Sequence, residues 1–260
     1  MARKRKNPPG PYLLHLELIR ERVYDPSRFP YTLPAIRGLT TLPFHEKVTF
    51  FVGENGSGKS TLLEAIAIEL DLNPEGGSVN FNFATRESHS ALHKAIRIAR
   101  HPGGTSERFF LRAESFYNVA TKIEELDKHR VEGVPYRPII KHFGGLSLHE
   151  QSHGESFFAL FRNRFGANGL YLMDEPEAAL SPNRQLEFLA MLHDYCERGC
   201  QFIIATHSPI IMAYPDALIY QFDRKDLRVV AYEDTEHYQI TRGFLMNRKR
   251  NLDIIMGKED

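Results

Sequence analysis

The stretch that most constrains what this chain can fold into is "VTFFVGENGSGKSTLLEAIA", residues 48–67. Its opening apolar run has no polar face and reads as a strand covered on both sides, and Ser60 to Leu70, apolar nearly all round, reads as a buried helix. Between them, Gly53 to Ser60 ("GENGSGKS") forms a loop whose glycines let backbone N–H groups turn inward without a Cβ clash. The following helix presents its positive end to the same space, so strand, loop and helix together cradle a phosphate chain. Lys59 then reaches the β- and γ-phosphates, and the Ser60 hydroxyl is placed to bind Mg²⁺.

Two further apolar runs deliver polar groups to what would be the same edge of a parallel sheet. "LYLM" ends in Asp174, a carboxylate suited to the Mg²⁺ shell, and Glu175 follows as the candidate general base. "QFIIAT" from Gln201 ends in His207, flanked by Thr206 and Ser208. A lone histidine is more often a satisfied structural group, but the end of a buried strand beside a shared crevice is a functional position.

Around these motifs the chain has the βαβ rhythm of a wound sheet. Ser181 followed by Pro182 starts a helix and Gly199 stops it. "YLLHLELI" (Tyr12 to Ile19) alternates Leu14, Leu16 and Leu18 with polar residues and opens a small antiparallel layer. "ALIYQF" and "LRVVAY" flank "DRKD" as a closing hairpin. Residues about 86–150 read as a mainly helical insertion, because Leu92, Ile96 and Ala99, then Phe116, Val119, Ile123 and Leu126, recur at helical spacing between Gly and Pro breaks. Within it, "FFLRAE" has the look of a strand. At 260 residues the expectation is one α/β domain with one nucleotide site.

Lys and Arg total 33 and Asp and Glu total 33, so no global field draws the protein to nucleic acid or anionic membrane. Two local basic runs remain, Arg3 to Lys6 and Arg248 to Arg250. The first enters "NPPGP" and reads as a flexible arm over residues 1–11, for which a solvated tail is the plainer reading. Cys196 and Cys200 have no second pair to complete a zinc site and are too few for a disulfide framework, which fits a reducing cytoplasm. No apolar run approaches the length needed to span a bilayer. "HEQSH" (His149 to His153) matches the zinc-protease spacing, but Gly144 and Gly145 argue for a loop there and no third ligand follows.

Gly53–Thr61, Asp174–Glu175–Pro176 and His207, in this order, resemble the Walker A, Walker B and switch-histidine elements of ABC-type ATPases. The resemblance implies an ABC-type ATPase head: a P-loop NTPase fold with a mostly parallel wound sheet, an antiparallel β layer and a helical insertion, using ATP and Mg²⁺. It implies ATP contacts from Gly53, Asn55, Gly56, Ser57, Gly58, Lys59, Ser60 and Thr61, metal contacts from Ser60 and Asp174, and catalytic roles for Glu175, His207 and Lys59. "QSHGES" (Gln151 to Ser156) stands where the family carries its signature loop, with His153 in place of the usual Gly. Family members close two subunits head to tail, so Ser152 and Gly154 would touch the γ-phosphate held by a second copy. "EAALS" (Glu177 to Ser181) resembles the D-loop, with Ser181 where Asp is usual. Glu114 is the positional substitute for the Q-loop metal ligand, with Asn82 behind it. Tyr24, Arg28, Phe29 and Tyr31 offer faces to adenine, and Tyr31 is the choice among them.

"DEPEAALSP" and "ATHSP" look more like the soluble RecF, structural-maintenance-of-chromosomes and overcoming-lysogenization-defect branch, and the small stand-alone bacterial AAA-family ATPases, than like transporter cassettes. Three functions follow as expectations. The first is an ATP-dependent homodimer that switches a protein effector or DNA in a repair-like or defence-like role. The second is the ATP-binding subunit of a transporter, and the third a nucleotide sensor that regulates an effector.

Overall fold

The computed structural model describes residues 11–74, 76–78, 90–105, 107–113 and 153–258. The strands are β1 (Leu13–Leu18), β2 (Thr41–Pro43), β3 (Val48–Gly53), β4 (Gly77–Ser78), β5 (Ile96–Arg100), β6 (Glu107–Arg112), β7 (Gly169–Asp174), β8 (Gln201–Ala205), β9 (Leu218–Phe222) and β10 (Leu227–Val230). The helices are α1 (Pro34–Arg37), α2 (Lys59–Glu69), α3 (Leu92–Ala95), α4 (His153–Arg164), α5 (Pro182–Glu197), α6 (Glu236–Met246) and α7 (Arg248–Ile255).

Seven strands form the main sheet in the order β10-β9-β3-β8-β7-β6-β4, and three form a separate antiparallel sheet, β2-β1-β5. The five central strands of the large sheet are parallel, while β10 and β4 close its two edges antiparallel. Every residue of β3, β7 and β8 is buried. This explains their unbroken apolar sequence: Phe50 and Val52 face one core while Phe51 faces the other. The hairpin expected across "DRKD" is β9–β10.

On one face of the sheet, Phe157, Phe161 and Phe165, spaced at one helical turn, pack against Phe188 of α5 and against Tyr171 of β7. The rings of Phe165 and Tyr171 stack with centroids 3.8 Å apart and planes 7° from parallel. This aromatic column fixes α4, and therefore the position of its N-terminal turn. α5 begins as expected, with the Ser181 hydroxyl accepting from the Arg184 N–H, and Gly199 follows its end at φ 78°. On the other face α2 packs with the small sheet, sharing one core through Leu62, Leu63 and Ile66 with Leu13, Leu16 and Ile98.

One buried glutamine ties the two sheets. The Gln201 side chain, at the start of β8, accepts from the Tyr12 and Leu13 N–H groups at 3.0 and 2.9 Å and donates to the Leu13 and His45 carbonyls, both at 2.9 Å. All four polar valences of the amide are thereby used in the interior, as a buried polar side chain requires.

The expected helical insertion is corrected where it is described. Only Leu92–Ala95 is helical and Ile96–Arg100 is a strand paired with β1; the strand expected at "FFLRAE" is present as Glu107–Arg112 and belongs to the main sheet. The spacing of Leu92, Ile96 and Ala99 mimics a helix, but Ile96 and Ile98 point inward while Arg97 is exposed, the two-residue period of a strand. Residues 86–89, 106 and 114–150 of that stretch lie outside the described residues, as do residues 1–10 of the arm and Asn82.

Gly53 ends β3 with φ 141°, and a Cβ there would lie 2.1 Å from the Phe222 carbonyl oxygen of β9. Gly53→Ala is therefore expected to destabilise the fold by more than about 3 kcal/mol, since both backbone strain and a clash with main chain must be relieved. The fall in the urea midpoint measures it. An unchanged midpoint would show that β3 and β9 separate freely at this end.

Candidate functional site

Parallel pairing sets the ends of β3, β8 and β7 side by side. Phe51 is in register with Ala205, Ala205 with Asp174, and Asp174 with Arg112. The loop after β3, the acids after β7 and the histidine after β8 therefore converge on one edge of the sheet.

The loop takes the backbone that its glycines permit, with Gly53, Gly56 and Gly58 at φ 141°, 76° and 106°. Gly58 precedes the first turn of α2, and Asn55 and Gly56 are exposed at the tip. Lys59 is only 3% exposed, and its ammonium donates to the Gly53 and Glu54 carbonyls at 2.7 and 2.8 Å. Burial lowers its pKa, against the pull of the Glu175, Asp174, Glu177 and Glu54 carboxylates. The ammonium is thus held inside the loop's curve by backbone oxygens. Thr61 continues α2, half-buried.

The Ser60 hydroxyl donates to Asp174 Oδ1 at 3.0 Å, which places two hard oxygen donors from distant parts of the chain in contact. Among the described residues no group of three or more His, Cys, Asp or Glu could cage a metal. Two protein oxygens with the remaining positions left to water and phosphate suit Mg²⁺, which dehydrates reluctantly and favours few protein ligands. Ser60 and Asp174 therefore fit that ion; Glu114, the third expected ligand, lies outside the described residues.

Asp174 is buried, and its pKa is raised to about 6, first by burial and against the opposing pull of Arg112 and the Ser60 hydrogen bond. The folded form holds this proton more tightly than the unfolded chain, so folding takes up a proton between pH 3.8 and about 6, and stability falls as pH rises through that window. Relative to wild type, nucleotide-free Asp174→Asn should gain several °C in Tm across this window. Calorimetry at intervals of pH checks it, and a constant difference between the two proteins contradicts it.

Arg112 was not among the residues singled out from the sequence. Its guanidinium lies 3.6 Å from Asp174 Oδ2 and pairs with Glu64 of α2. The signal was present in two strands ending "FFLR" and "LYLMD", but only their pairing brings the charges together.

Glu175 has the left-handed backbone of φ 52°, ψ 53°, uncommon for a residue with a side chain, and its N–H donates to the Ala205 carbonyl at 2.9 Å. That turn breaks the strand and sends the chain into the short 3-10 turn Pro176–Ala179. The Glu175 Oε1 and His207 Nε2 atoms stand 3.2 Å apart, close but without hydrogen-bond alignment. Burial and the nearby Lys59 lower the His207 pKa, outweighing Glu175, so the ring is neutral at pH 7.

Glu177, expected only as part of a D-loop, is a second, half-buried acid here. Its carboxylate accepts from the His207 N–H, and burial raises its pKa. It clamps the turn that carries His207. His237, at the start of α6, was also missed: its Nε2 lies 3.0 Å from His207 Nδ1.

Tyr31 is corrected. It is 8% exposed, packs in the core shared with α2, and its hydroxyl contacts the Ala91 carbonyl at 3.3 Å. A ring packed in this way presents no free face for a base. On the same segment Tyr24 and Phe29 are the exposed aromatics. Ser152 lies outside the described residues, together with His149; Gly154 falls in the first turn of α4. Cys196 and Cys200 are buried free thiols whose pKa burial raises. No helix among the described residues is long and apolar enough to cross a membrane.

Two family profiles match the chain, "AAA domain" over residues 33–130 and "AAA domain, putative AbiEii toxin, Type IV TA system" over residues 141–213. Among curated proteins, the hemin import ATP-binding protein HmuV of Pseudomonas aeruginosa is 28% identical over 181 residues, 65% of this chain and 69% of its own length. ABC transporter G family member 22 of Arabidopsis thaliana is 26% identical over 199 residues, 68% of this chain; the match spans only 24% of that protein's length. Among solved structures, CbiO1 of Clostridium perfringens, part of the ABC transporter complex CbiONQ, aligns over 95% of this chain and 100% of its own with 17% identity and a TM-score of 0.49. The SMC head domain of Thermotoga maritima aligns over 85% of this chain and 98% of its own with 18% identity and a TM-score of 0.44.

Proposed function

We propose, of a chain whose fold and nucleotide loop are those of an ABC-type P-loop ATPase, that it hydrolyses ATP with Glu175 as general base and uses the cycle to close and open a homodimer. The observation that carries this reading is the meeting of Ser60, Asp174, Glu175 and His207 at one sheet edge, within contact distances of 3.0 and 3.2 Å.

In this reading Lys59 and the loop N–H groups bind the β- and γ-phosphates, and Ser60 and Asp174 hold Mg²⁺. Bound Mg²⁺ neutralises charge on the phosphate oxygens. The Glu175 carboxylate orients and deprotonates the attacking water, and His207 keeps that carboxylate placed. Tyr24 and Phe29 take over the base-stacking role from Tyr31. A second copy supplies Ser152 and Gly154 across the dimer, so that ATP bridges the pair and hydrolysis releases it. A protein effector, or DNA held by the runs at Arg3 to Lys6 and Arg248 to Arg250, is the partner switched, in the cytoplasm.

The test uses Glu175→Gln, which binds ATP without spending it. Sedimentation with Mg–ATP should give a dimer that Mg–ADP does not. A monomer at all protein concentrations despite bound ATP would remove the switch.

A second reading is favoured by the curated relatives, several of which are ATP-binding proteins of import or export systems. Here the chain would couple to a separate membrane protein. Recovery of a permease in stoichiometric amount from detergent extracts decides for it. The toxin wording of one family profile supports a third, an ATP-timed regulator of an effector.

A further inference from the structure

His237 lies 30 residues beyond His207, on a different element, yet its Nε2 is 3.0 Å from His207 Nδ1, with ring centroids 5.1 Å apart and planes at 66°. An N···N contact of this length needs one proton between the rings, so one imidazole donates and the other accepts. The charged and titratable groups around the pair are Lys59, Glu54, Glu175, Glu177 and Glu236. Burial and Lys59 disfavour a positive charge on either ring, which leaves two neutral arrangements.

If His207 donated through Nδ1, its bare Nε2 would face Glu175 Oε1 at 3.2 Å, lone pair against carboxylate. The His237 proton would then sit on Nδ1, which is buried and has no partner. If His237 donates through Nε2, the orphaned Nδ1 carries only a lone pair, and the His207 proton sits on Nε2 towards Glu175. The second arrangement also leaves one donor, His207 Nε2–H, without hydrogen-bond alignment, but that proton faces the Glu175 carboxylate at 3.2 Å, whereas the first sets a lone pair against the carboxylate and leaves the His237 Nδ1–H buried with no partner.

We propose that His237 is a positioning residue: it donates its Nε2 proton to His207 Nδ1 and so fixes the His207 tautomer that presents Nε2–H to Glu175. His237 is itself anchored through the loop that carries His207. Preceding it, Thr235 is fully buried with its hydroxyl on the Tyr232 carbonyl at 2.7 Å and beside Met212 Sδ at 3.4 Å, and the Tyr232 hydroxyl donates to the Pro209 carbonyl at 2.9 Å. The donor and acceptor therefore move together. The kinetic consequence rests on the proposed hydrolysis; the tautomer does not.

The test compares His237→Leu, which removes the donor, with His237→Gln, whose amide N–H reaches a similar position. In histidine-labelled, nucleotide-free protein, ¹⁵N NMR should show His207 protonated on Nε2 in wild type and in His237→Gln, and a tautomer mixture in His237→Leu. The Leu variant should lose about tenfold in kcat with KM for ATP within about twofold, and the Gln variant should recover most of it. A wild-type His207 proton on Nδ1 overturns the assignment, whatever becomes of the variants. So does a folded Leu variant with unchanged kcat, or a Gln variant no better than Leu. An Nε2 tautomer in a protein that never hydrolyses ATP upholds the positioning and removes the proposed function instead.

Discussion

Glu175→Gln is expected to lower ATP turnover by about 10²–10⁴-fold, the range for removing a positioned general base. Glutamine has nearly the same shape, and the left-handed turn at Glu175 is held by the main-chain bond to Ala205, which the substitution leaves intact. The loop, Lys59 and the Ser60–Asp174 pair are also untouched, so affinity for Mg–ATP should stay within a few-fold. Single-turnover hydrolysis set beside equilibrium binding separates the two effects. Turnover reduced by less than about tenfold would mean that another group activates the water. Glu177 is another acid beside His207, and its engagement by the His207 N–H argues against it.

Lys59→Ala carries the second large effect, and it falls on binding. The ammonium already lies within the loop, donating to Gly53 and Glu54, so a β- or γ-phosphate oxygen would meet it without a search through side-chain conformations. Charge-assisted hydrogen bonds contribute roughly 1.5–3 kcal/mol each, so the loss in ATP affinity should be about a hundredfold. Stability should change much less, because the buried charge is disfavoured in the folded chain even with four carboxylates near it. Calorimetric titration with ATP and thermal melts of the nucleotide-free protein check the two halves. Tight ATP binding by the folded variant would place the phosphates elsewhere.

The parts of this architecture legible in the sequence are those written in contiguous residues. β3, β7 and β8 show as unbroken apolar runs because both faces of each are covered, and the loop from Gly53 to Ser60 shows because its backbone demands glycine at fixed positions. What escaped depends on residues far apart in the chain. Tyr31 has the composition of a stacking ring, but its burial is decided by packing in the core it shares with α2. β5 hid behind a chance helical spacing that only its pairing with β1 resolves. Arg112 gains meaning from its register with Asp174, and His237 from a contact made 30 residues after His207. In each case the local signal was ordinary and the neighbour supplied the chemistry.

Gln201 limits how this molecule can flex. Prising the small sheet from the large one would strand three buried main-chain groups on Tyr12 and Leu13, and a part-buried carbonyl on His45, at once. The antiparallel layer must then ride with the nucleotide cradle as one rigid block, and any hinge for a power stroke has to be sought elsewhere along the chain.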